Sequence, residues 1–88
     1  RVIALAEAAR IPYVMGQMNE GMLATVAAAH LALASAPKYA ELYGTDGIVH
    51  DPTPGTVHAG SRIVVPEGPG LGTAPDESAL TPVWSLAA

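Results

Sequence analysis

The chain has no cysteine among its 88 residues. Neither a disulfide framework nor a thiolate zinc site can therefore compensate for a small core. A chain of this length forms at most one small domain, and it buries only about 60–65% of the surface that it exposes when unfolded. Any stability that the chain has on its own must come from apolar packing, and the margin is small.

Basic residues are also scarce, since eight acidic residues face only four basic ones, Arg1, Arg10, Lys38 and Arg62. They are scattered along the chain and form no stripe that could neutralise nucleic-acid phosphates. The longest apolar stretch, residues 22–36, is interrupted by His30 and is shorter than the roughly 20 residues that span a bilayer. We therefore expect a soluble chain, cytoplasmic by default, with no nucleic acid and no membrane as partner.

Charge is sparse in general, because charged residues make up 14% of the chain and hydrophobic residues 50%. This is little polar cover for a small globule that exposes much of its surface. Some apolar surface is expected to pack against a partner that the chain lacks. The sequence also begins within a helical pattern, without a start methionine or a capping residue, which favours a truncation upstream.

The first half of the chain alternates between helix and strand patterns. Apolar residues recur at helical spacing from Val2 to Ala9, which predicts an amphipathic helix over residues 1–10 that Pro12 ends. The short apolar run Tyr13-Val14-Met15 that follows, bounded by Pro12 and Gly16, predicts a strand buried on both faces. Helix followed by buried strand indicates an α/β unit.

The alanine-rich and leucine-rich stretch over residues 22–36 predicts a second helix, covered on several sides and closed by Pro37. The composition then changes at Gly44, because residues 44–88 hold seven of the nine glycines and six of the eight prolines. These residues favour turns. Within this tail, residues 62–65 are the best strand candidate and residues 76–80 predict one helical turn capped by Asp76.

Glu20 is the best catalytic candidate on position alone. It follows a predicted buried strand and precedes a helix, and in parallel α/β folds ligands bind at that junction. A structural alternative explains it equally well, because a carboxylate is also favoured near the positive N-terminal end of a helix.

Three other features carry weaker functional signals. The segment 68–72, Gly-Pro-Gly-Leu-Gly, lacks the lysine and the following helix of a phosphate loop, so a structural turn is favoured. The spacing of four side chains fits no compact metal motif: Asp46, His50, Asp51 and His58. His30 lies within an apolar helix, and we interpret it as a core histidine with a ring nitrogen bonded to a backbone carbonyl.

The order of these segments resembles the C-terminus of the enolase superfamily, in its mandelate racemase and muconate-lactonizing enzyme family. The resemblance rests on Met15-Gly16-Gln17-Met18-Asn19-Glu20-Gly21 after a helix, on Ala28-Ala29-His30-Leu31-Ala32, and most specifically on Val65-Pro66-Glu67-Gly68-Pro69-Gly70-Leu71-Gly72. It implies an α/β fold, the C-terminal segment of a modified TIM (β/α) barrel.

On this resemblance, residues 1–43 are the end of the barrel, with helix 1–11, strand 12–17 and helix 22–36. Residues 44–88 are a tail that completes the capping region and packs on an N-terminal capping domain. Glu20 then matches the acidic residue at the end of the eighth strand, which hydrogen-bonds the substrate carboxylate, and Asn19 and Met18 are the expected substrate-binding residues.

The implied chemistry is removal of a proton α to a carboxylate, or its reverse, through an enediolate stabilised by Mg²⁺ in the complete enzyme. The metal ligands and the basic residue are expected on earlier strands, outside this chain, so the 88 residues alone are not expected to be catalytic. The expected partners are the missing capping domain and barrel strands, a small carboxylate substrate and further copies in a homo-oligomer.

Several activities stay open. Muconate cycloisomerase is the first expectation, because Met18-Asn19-Glu20-Gly21 is most similar to that branch. Racemase, epimerase, dehydratase and succinylbenzoate synthase activities of the same family are alternatives. A different class is also possible on this sequence, namely a small non-catalytic domain whose exposed apolar helix faces bind a partner protein.

Overall fold

The structure is a computed structural model that describes residues 1–86. In chain order it contains α1 (Val2–Ala8), β1 (Val14–Gly16), α2 (Met22–Leu33), β2 (Tyr39–Glu41), β3 (His58–Ala59), β4 (Arg62–Ile63) and a 3₁₀ turn (Glu77–Ala79). This mixture of helices and strands is compatible with the predicted α/β class. The assignment of these elements to the end of a barrel stays a prediction.

The centre of the fold is a β1–α2–β2 unit. Strands β1 and β2 pair in parallel, with Val14 opposite Tyr39 and Gly16 opposite Glu41. Parallel neighbours need a crossover connection, and α2 provides it. The Lys38 amide donates to the Tyr13 carbonyl at 2.8 Å, which continues the pairing by one step before the strands begin. The carboxyl ends of β1 and β2 therefore lie at the same edge.

Helix α1 ends earlier than predicted, and Pro12 is not what ends it. Arg10 has a left-handed φ of 56°. The Ile11 amide donates to the Ala6 carbonyl at 2.8 Å and the Arg10 amide to the Glu7 carbonyl at 3.0 Å. This pair of bonds around a left-handed residue is a Schellman motif, which satisfies the last helical carbonyls.

Helix α2 also ends one turn before the predicted Ala36. Its last residue is Leu33. Pro37 disfavours helical backbone at the residue before it, and the Ala36 amide donates instead to the Tyr13 hydroxyl at 3.0 Å. The end of α2 is thereby attached to the residue that precedes β1.

The core forms where the tail covers one face of α2. Met22 and Val26 of α2 pack with Val57 of the tail, and Ile63 and Leu71 lie against this cluster. Because both chain halves contribute, the tail is packed on α2. Its packing on a capping domain stays a prediction.

Two predictions about burial are wrong for this chain. Strand β1 is not buried on both faces, because Val14 is 57% exposed and the strand has one partner, β2, within residues 1–86. Helix α2 is covered on one face only, since Leu31 and Leu33 are exposed. Both segments are apolar on nearly every side, and the described residues leave part of each exposed.

The molecule is open for its length. Its radius of gyration is 15.2 Å, whereas a compact domain of 88 residues has about 12 Å. Its accessible surface is 6777 Å², whereas a folded monomer of this mass exposes about 4,800 Å². About 2,000 Å² of surface is therefore in excess of that of a self-contained globule. Within residues 1–86, no helix combines the length and apolar character needed to cross a membrane.

Candidate functional site

The candidate site is the loop between β1 and α2, residues 17–21. It leaves the carboxyl end of β1, and the segment after β2 emerges at the same edge because the two strands are parallel. In folds built from parallel strands, this edge is where ligands bind. The position predicted for Glu20 after a strand and before a helix is therefore confirmed, although its catalytic role stays a prediction.

Glu20 is exposed, and among the described residues its carboxylate accepts one hydrogen bond. Gln17 Nε2 donates to Glu20 Oε2 at 3.0 Å. The same nitrogen also donates to Thr25 Oγ1 at 3.1 Å. Thr25 is fully buried in α2, and its hydroxyl donates to the Gly21 carbonyl at 3.1 Å. Glu20 is thus connected to the buried face of the helix through one amide group.

Asn19 and Met18 have different surroundings, because the Asn19 side chain is hydrogen-bonded and the Met18 side chain is exposed. The Asn19 side chain donates from Nδ2 to the Asp46 carbonyl at 3.1 Å, so it ties the loop after β1 to the loop after β2. Met18 is 77% exposed. Asn19 therefore has a structural contact in addition to its predicted role, and both remain candidates for substrate binding.

Asp51 anchors the start of α2. Gly21 is the N-cap residue and has no side chain to cap the helix. The Asp51 carboxylate takes the place of a capping side chain, because its Oδ2 accepts a hydrogen bond from the Met22 amide. Its Oδ1 accepts from the Thr53 amide at 2.9 Å. An acidic side chain at this end also interacts favourably with the helix dipole. A residue 29 positions away in sequence therefore fixes the helix that follows Glu20.

The chain does not offer a metal site in its described part. Within residues 1–86, no three His, Asp or Glu side chains gather closely enough to hold a metal ion. Asp51 is already bound by two backbone amides. The described residues therefore do not fit a Mg²⁺ site.

The glycine-rich segment 68–72 has a structural role. The Gly72 amide donates to the Pro69 carbonyl at 3.1 Å, and Gly70 and Gly72 have left-handed φ values of 63° and 71°. A side chain on Gly72 would overlap the Pro66 carbonyl. The turn delivers Leu71 to the core, and the Leu71 carbonyl lies 3.2 Å from His30 Nε2. The structural interpretation of the turn is confirmed. The predicted contact of a His30 ring nitrogen with a backbone carbonyl is also observed, although His30 is half-buried and lies outside the core.

A polar cavity of about 450 Å³ lies beside the Asn19 contact, because Asp46 belongs to both. Tyr43 and His58 also line this cavity, and His58 Nε2 is buried without a hydrogen-bond partner among the described residues. The cavity could accept a small polar molecule next to the loop that carries Glu20.

Comparison with known proteins gives the family. The profile of the Enolase C-terminal domain-like family matches residues 1–79. The chain belongs to this family. It is also 40% identical over 83 residues to muconate cycloisomerase 1-1 of Acinetobacter lwoffii. The resemblance found in the sequence is thereby confirmed.

The alignment covers 88% of the chain and 21% of the Acinetobacter enzyme. The chain therefore spans about a fifth of the length of this curated relative. No solved structure gives a significant match to the chain.

The roles of two residues of the site, Gln17 and Asp51, were missed by sequence reasoning. Gln17 carries a weak local signal, since it lies three residues before Glu20 at the end of the strand. Asp51 also carries one, because Asp51-Pro52-Thr53 is typical of a turn in which the Asp side chain accepts from the amide two residues later. Neither signal identifies the residue on another element that the side chain contacts.

Proposed function

We propose that this chain is the C-terminal part of an enolase-superfamily enzyme of the muconate cycloisomerase kind, with Glu20 as a catalytic acid. The observation that carries the proposal is the position of Glu20 at the carboxyl end of a parallel strand, held by Gln17 and facing solvent. Family membership and the 40% identity to a muconate cycloisomerase support the reaction class.

The proposed reaction is removal or addition of a proton α to a carboxylate. A basic group outside this chain takes the α-proton, and the electron pair left on carbon moves onto the substrate carboxylate to give an enediolate. Glu20, in its protonated form, donates a hydrogen bond to the carboxylate oxygen as negative charge grows there. A donor aimed at developing charge stabilises the transition state more than the ground state. Asn19 and Met18 flank this contact and orient the substrate.

Enolase-superfamily enzymes generally use Mg²⁺, and the described residues of this chain do not fit a site for it. We therefore place the metal ligands and the base on segments outside the 88 residues. This chain contributes the catalytic acid, Glu20, and the residues that hold it in place. Alone, it is inactive.

The excess surface supports the proposed partners. About 2,000 Å² beyond that of a self-contained globule exceeds the roughly 800 Å² that one partner buries in a standard interface. The remaining barrel strands and a capping domain would cover the exposed faces of β1 and α2. Association of complete enzymes into a homo-oligomer is part of the same proposal.

The test is solvent exchange of the α-proton. The complete enzyme that contains this chain is incubated in D₂O with muconate, with the lactone product and with mandelate and dipeptides, and deuterium α to the carboxylate is followed by NMR. Mg²⁺-dependent exchange is expected on at least one of these, with muconate turnover identifying the cycloisomerase. A folded complete enzyme without any exchange would contradict the proposal.

The isolated chain is the second arm of this experiment. It should give no exchange at any Mg²⁺ concentration, because the described residues supply no metal site. Mg²⁺-dependent turnover by the purified 88 residues would contradict the proposal that the metal ligands and the base lie outside them. The alternative of a protein-binding domain predicts no exchange in either arm.

A further inference from the structure

We infer that Gln17 is a positioning residue that decides which oxygen of Glu20 carries the acidic proton. This inference rests on the proposed function. Gln17 does not contact the substrate in this scheme. It acts through the 3.0 Å hydrogen bond from its Nε2 to Glu20 Oε2.

The donor and the acceptor of each hydrogen bond between Thr25, Gln17 and Glu20 can be assigned by starting from the buried Thr25 hydroxyl. The Thr25 hydroxyl has a single proton, and it donates that proton to the Gly21 carbonyl. Thr25 Oγ1 can therefore only accept from Gln17, whose Nε2 lies 3.1 Å away. An amide nitrogen has two protons, so one binds Thr25 and the other binds Glu20. The orientation of the Gln17 amide is thus fixed by its partners.

This orientation assigns the two oxygens of Glu20 to different tasks. Oε2 accepts a hydrogen bond from Gln17 Nε2, and a proton on Oε2 would compete with that donor. The acidic proton therefore resides on Oε1. Glu20 Oε1 is then the atom that donates to the substrate carboxylate, and Oε2 stays an acceptor throughout the reaction.

The position of the Gln17 side chain is restricted from two sides. Thr25 is fully buried and belongs to a helix, so it gives the amide a rigid anchor. On the other side lies Gly44, after β2, where an added Cβ would overlap Gln17 Nε2 and approach the Glu20 carbonyl to 2.9 Å. Gln17 Oε1 is buried and has no partner among the described residues. Only a residue without a side chain at position 44 leaves this arrangement intact.

The test is a double-mutant cycle in the complete enzyme. Gln17→Met keeps the length of the side chain and removes the donor, and we expect a fall in kcat of about 10- to 100-fold with little change in KM. In the Glu20→Gln background the same substitution should cost less than about 3-fold, because residues that act as a unit are not additive. Equal losses in both backgrounds, or no loss from Gln17→Met alone, would overturn the inference.

Gly44→Ala provides a second route to the same effect, because it displaces the Gln17 amide without changing its chemistry. Thr25→Val removes the anchor, and Ser35→Ala is its matched control, since the Ser35 hydroxyl likewise donates to a carbonyl four residues earlier in α2. We expect kcat to fall in Gly44→Ala and Thr25→Val and to stay unchanged in Ser35→Ala. Unchanged kcat in Gly44→Ala and Thr25→Val would contradict the inference.

A spectroscopic measurement separates this inference from the proposed function. The NMR shifts of the Gln17 side-chain amide protons should move in Glu20→Gln and in Thr25→Val and stay in place in Ser35→Ala. If Glu20→Gln leaves kcat unchanged while these shifts move, the network exists and the catalytic role of Glu20 is wrong. If kcat falls in Glu20→Gln but the shifts do not move, Gln17 does not position Glu20.

Discussion

Three carboxylates of this chain accept hydrogen bonds from different donors and therefore have different roles. Asp51 accepts from two backbone amides and serves the start of a helix. Asp76 accepts from the amide and the hydroxyl of Ser78 and serves a 3₁₀ turn. Glu20 accepts from a side-chain amide, at 3.0 Å, and keeps its other oxygen available. Of the three, only Glu20 lies at the carboxyl end of paired parallel strands, so it is the one placed for chemistry.

The residue-scale test of catalysis is Glu20→Gln in the complete enzyme. Gln keeps the size but donates only from a neutral amide, which is a weaker donor than a carboxylic acid. The loss should approach that of removing a preorganised donor, about 2.7–4 kcal/mol, or roughly 10²–10³ in kcat. Mg²⁺ affinity should change little. If Glu20 only interacts with the helix end, the substitution should cost about 0.3–1 kcal/mol of stability and leave kcat near normal. Glu67→Gln, an exposed carboxylate in the tail, is the control for the charge change.

Asp76 gives a pH-dependent prediction. The side-chain hydrogen bond from Ser78, helped by the Ser78 backbone amide, lowers the pKa of Asp76 below its ordinary value of 3.8. A lowered folded pKa means that the stabilising effect is present above the ordinary value and is lost as the pH falls through the folded pKa. In the complete enzyme, a ¹³C NMR titration of the Asp76 carboxyl should have its midpoint below 3.8.

Ser78→Ala should raise that midpoint, because it removes the hydroxyl donor that contributes most to the lowered pKa of Asp76. Ser61→Ala, in the turn between β3 and β4, is the control and should leave it in place. An identical midpoint in the Ser78 variant and the parent would show that the hydroxyl contact does not form.

At the scale of elements, α2 depends on a cap supplied by the tail. Removing the acceptor in Asp51→Ala leaves the Met22 amide without its partner, and loss of a helix cap typically costs about 0.5–2 kcal/mol. Asp51→Asn keeps an acceptor and loses only the charge, so it should cost less. Denaturant unfolding of the complete enzyme measures both. Asp46→Ala is the matched control, because the Asn19 contact uses the Asp46 backbone carbonyl and survives the substitution.

The elements that the sequence predicts are those with long or sharply bounded patterns. Residues 1–11 and 22–36 do contain helices, and a strand lies within residues 12–17, but all three are shorter than predicted. Strand β2 was missed, because Tyr39-Ala40-Glu41 has neither alternation nor an apolar run. It is a strand only because β1 lies beside it, and pairing across a crossover is not visible in a local pattern.

Within the tail, the predicted strand over residues 62–65 is observed as Arg62–Ile63, paired with His58–Ala59. The turn capped by Asp76 is confirmed. For the candidate site too, the sequence predicts one feature and not another. The place of Glu20 follows from the order of strand and helix, whereas its contact with Gln17 depends on a rotamer that Thr25 and Gly44 impose.

At the scale of the whole molecule, packing is incomplete on the outer faces of β1 and α2. Within residues 1–86, five apolar residues form the buried core, namely Met22, Val26, Ala29, Leu42 and Val57. Many large apolar side chains remain exposed, among them Val83 at 95% and Trp84 at 74%. A cavity of about 490 Å³ also lies between the end of α2 and β2, lined by Leu33, Tyr39 and Ile63 among others. Exposed apolar surface of this kind is typical of interaction surfaces.

The last prediction concerns the 88 residues in isolation, which we expect to self-associate or to be loosely folded. The radius of gyration of 15.2 Å against about 12 Å for a compact chain, and the surface excess of about 2,000 Å², leave too little buried apolar area to offset the entropy of ordering. Sedimentation velocity and thermal unfolding are the measurements, with the complete enzyme as the control. The isolated chain should sediment as a mixture or as an expanded species, and its unfolding should lack a sharp transition. Adding the remainder of the enzyme in trans should sharpen that transition, because a partner that binds only the folded form stabilises it. A compact monomer with a cooperative transition would mean that α2 and the tail suffice as a core, and that the exposed faces of β1 and α2 do not require the rest of a barrel.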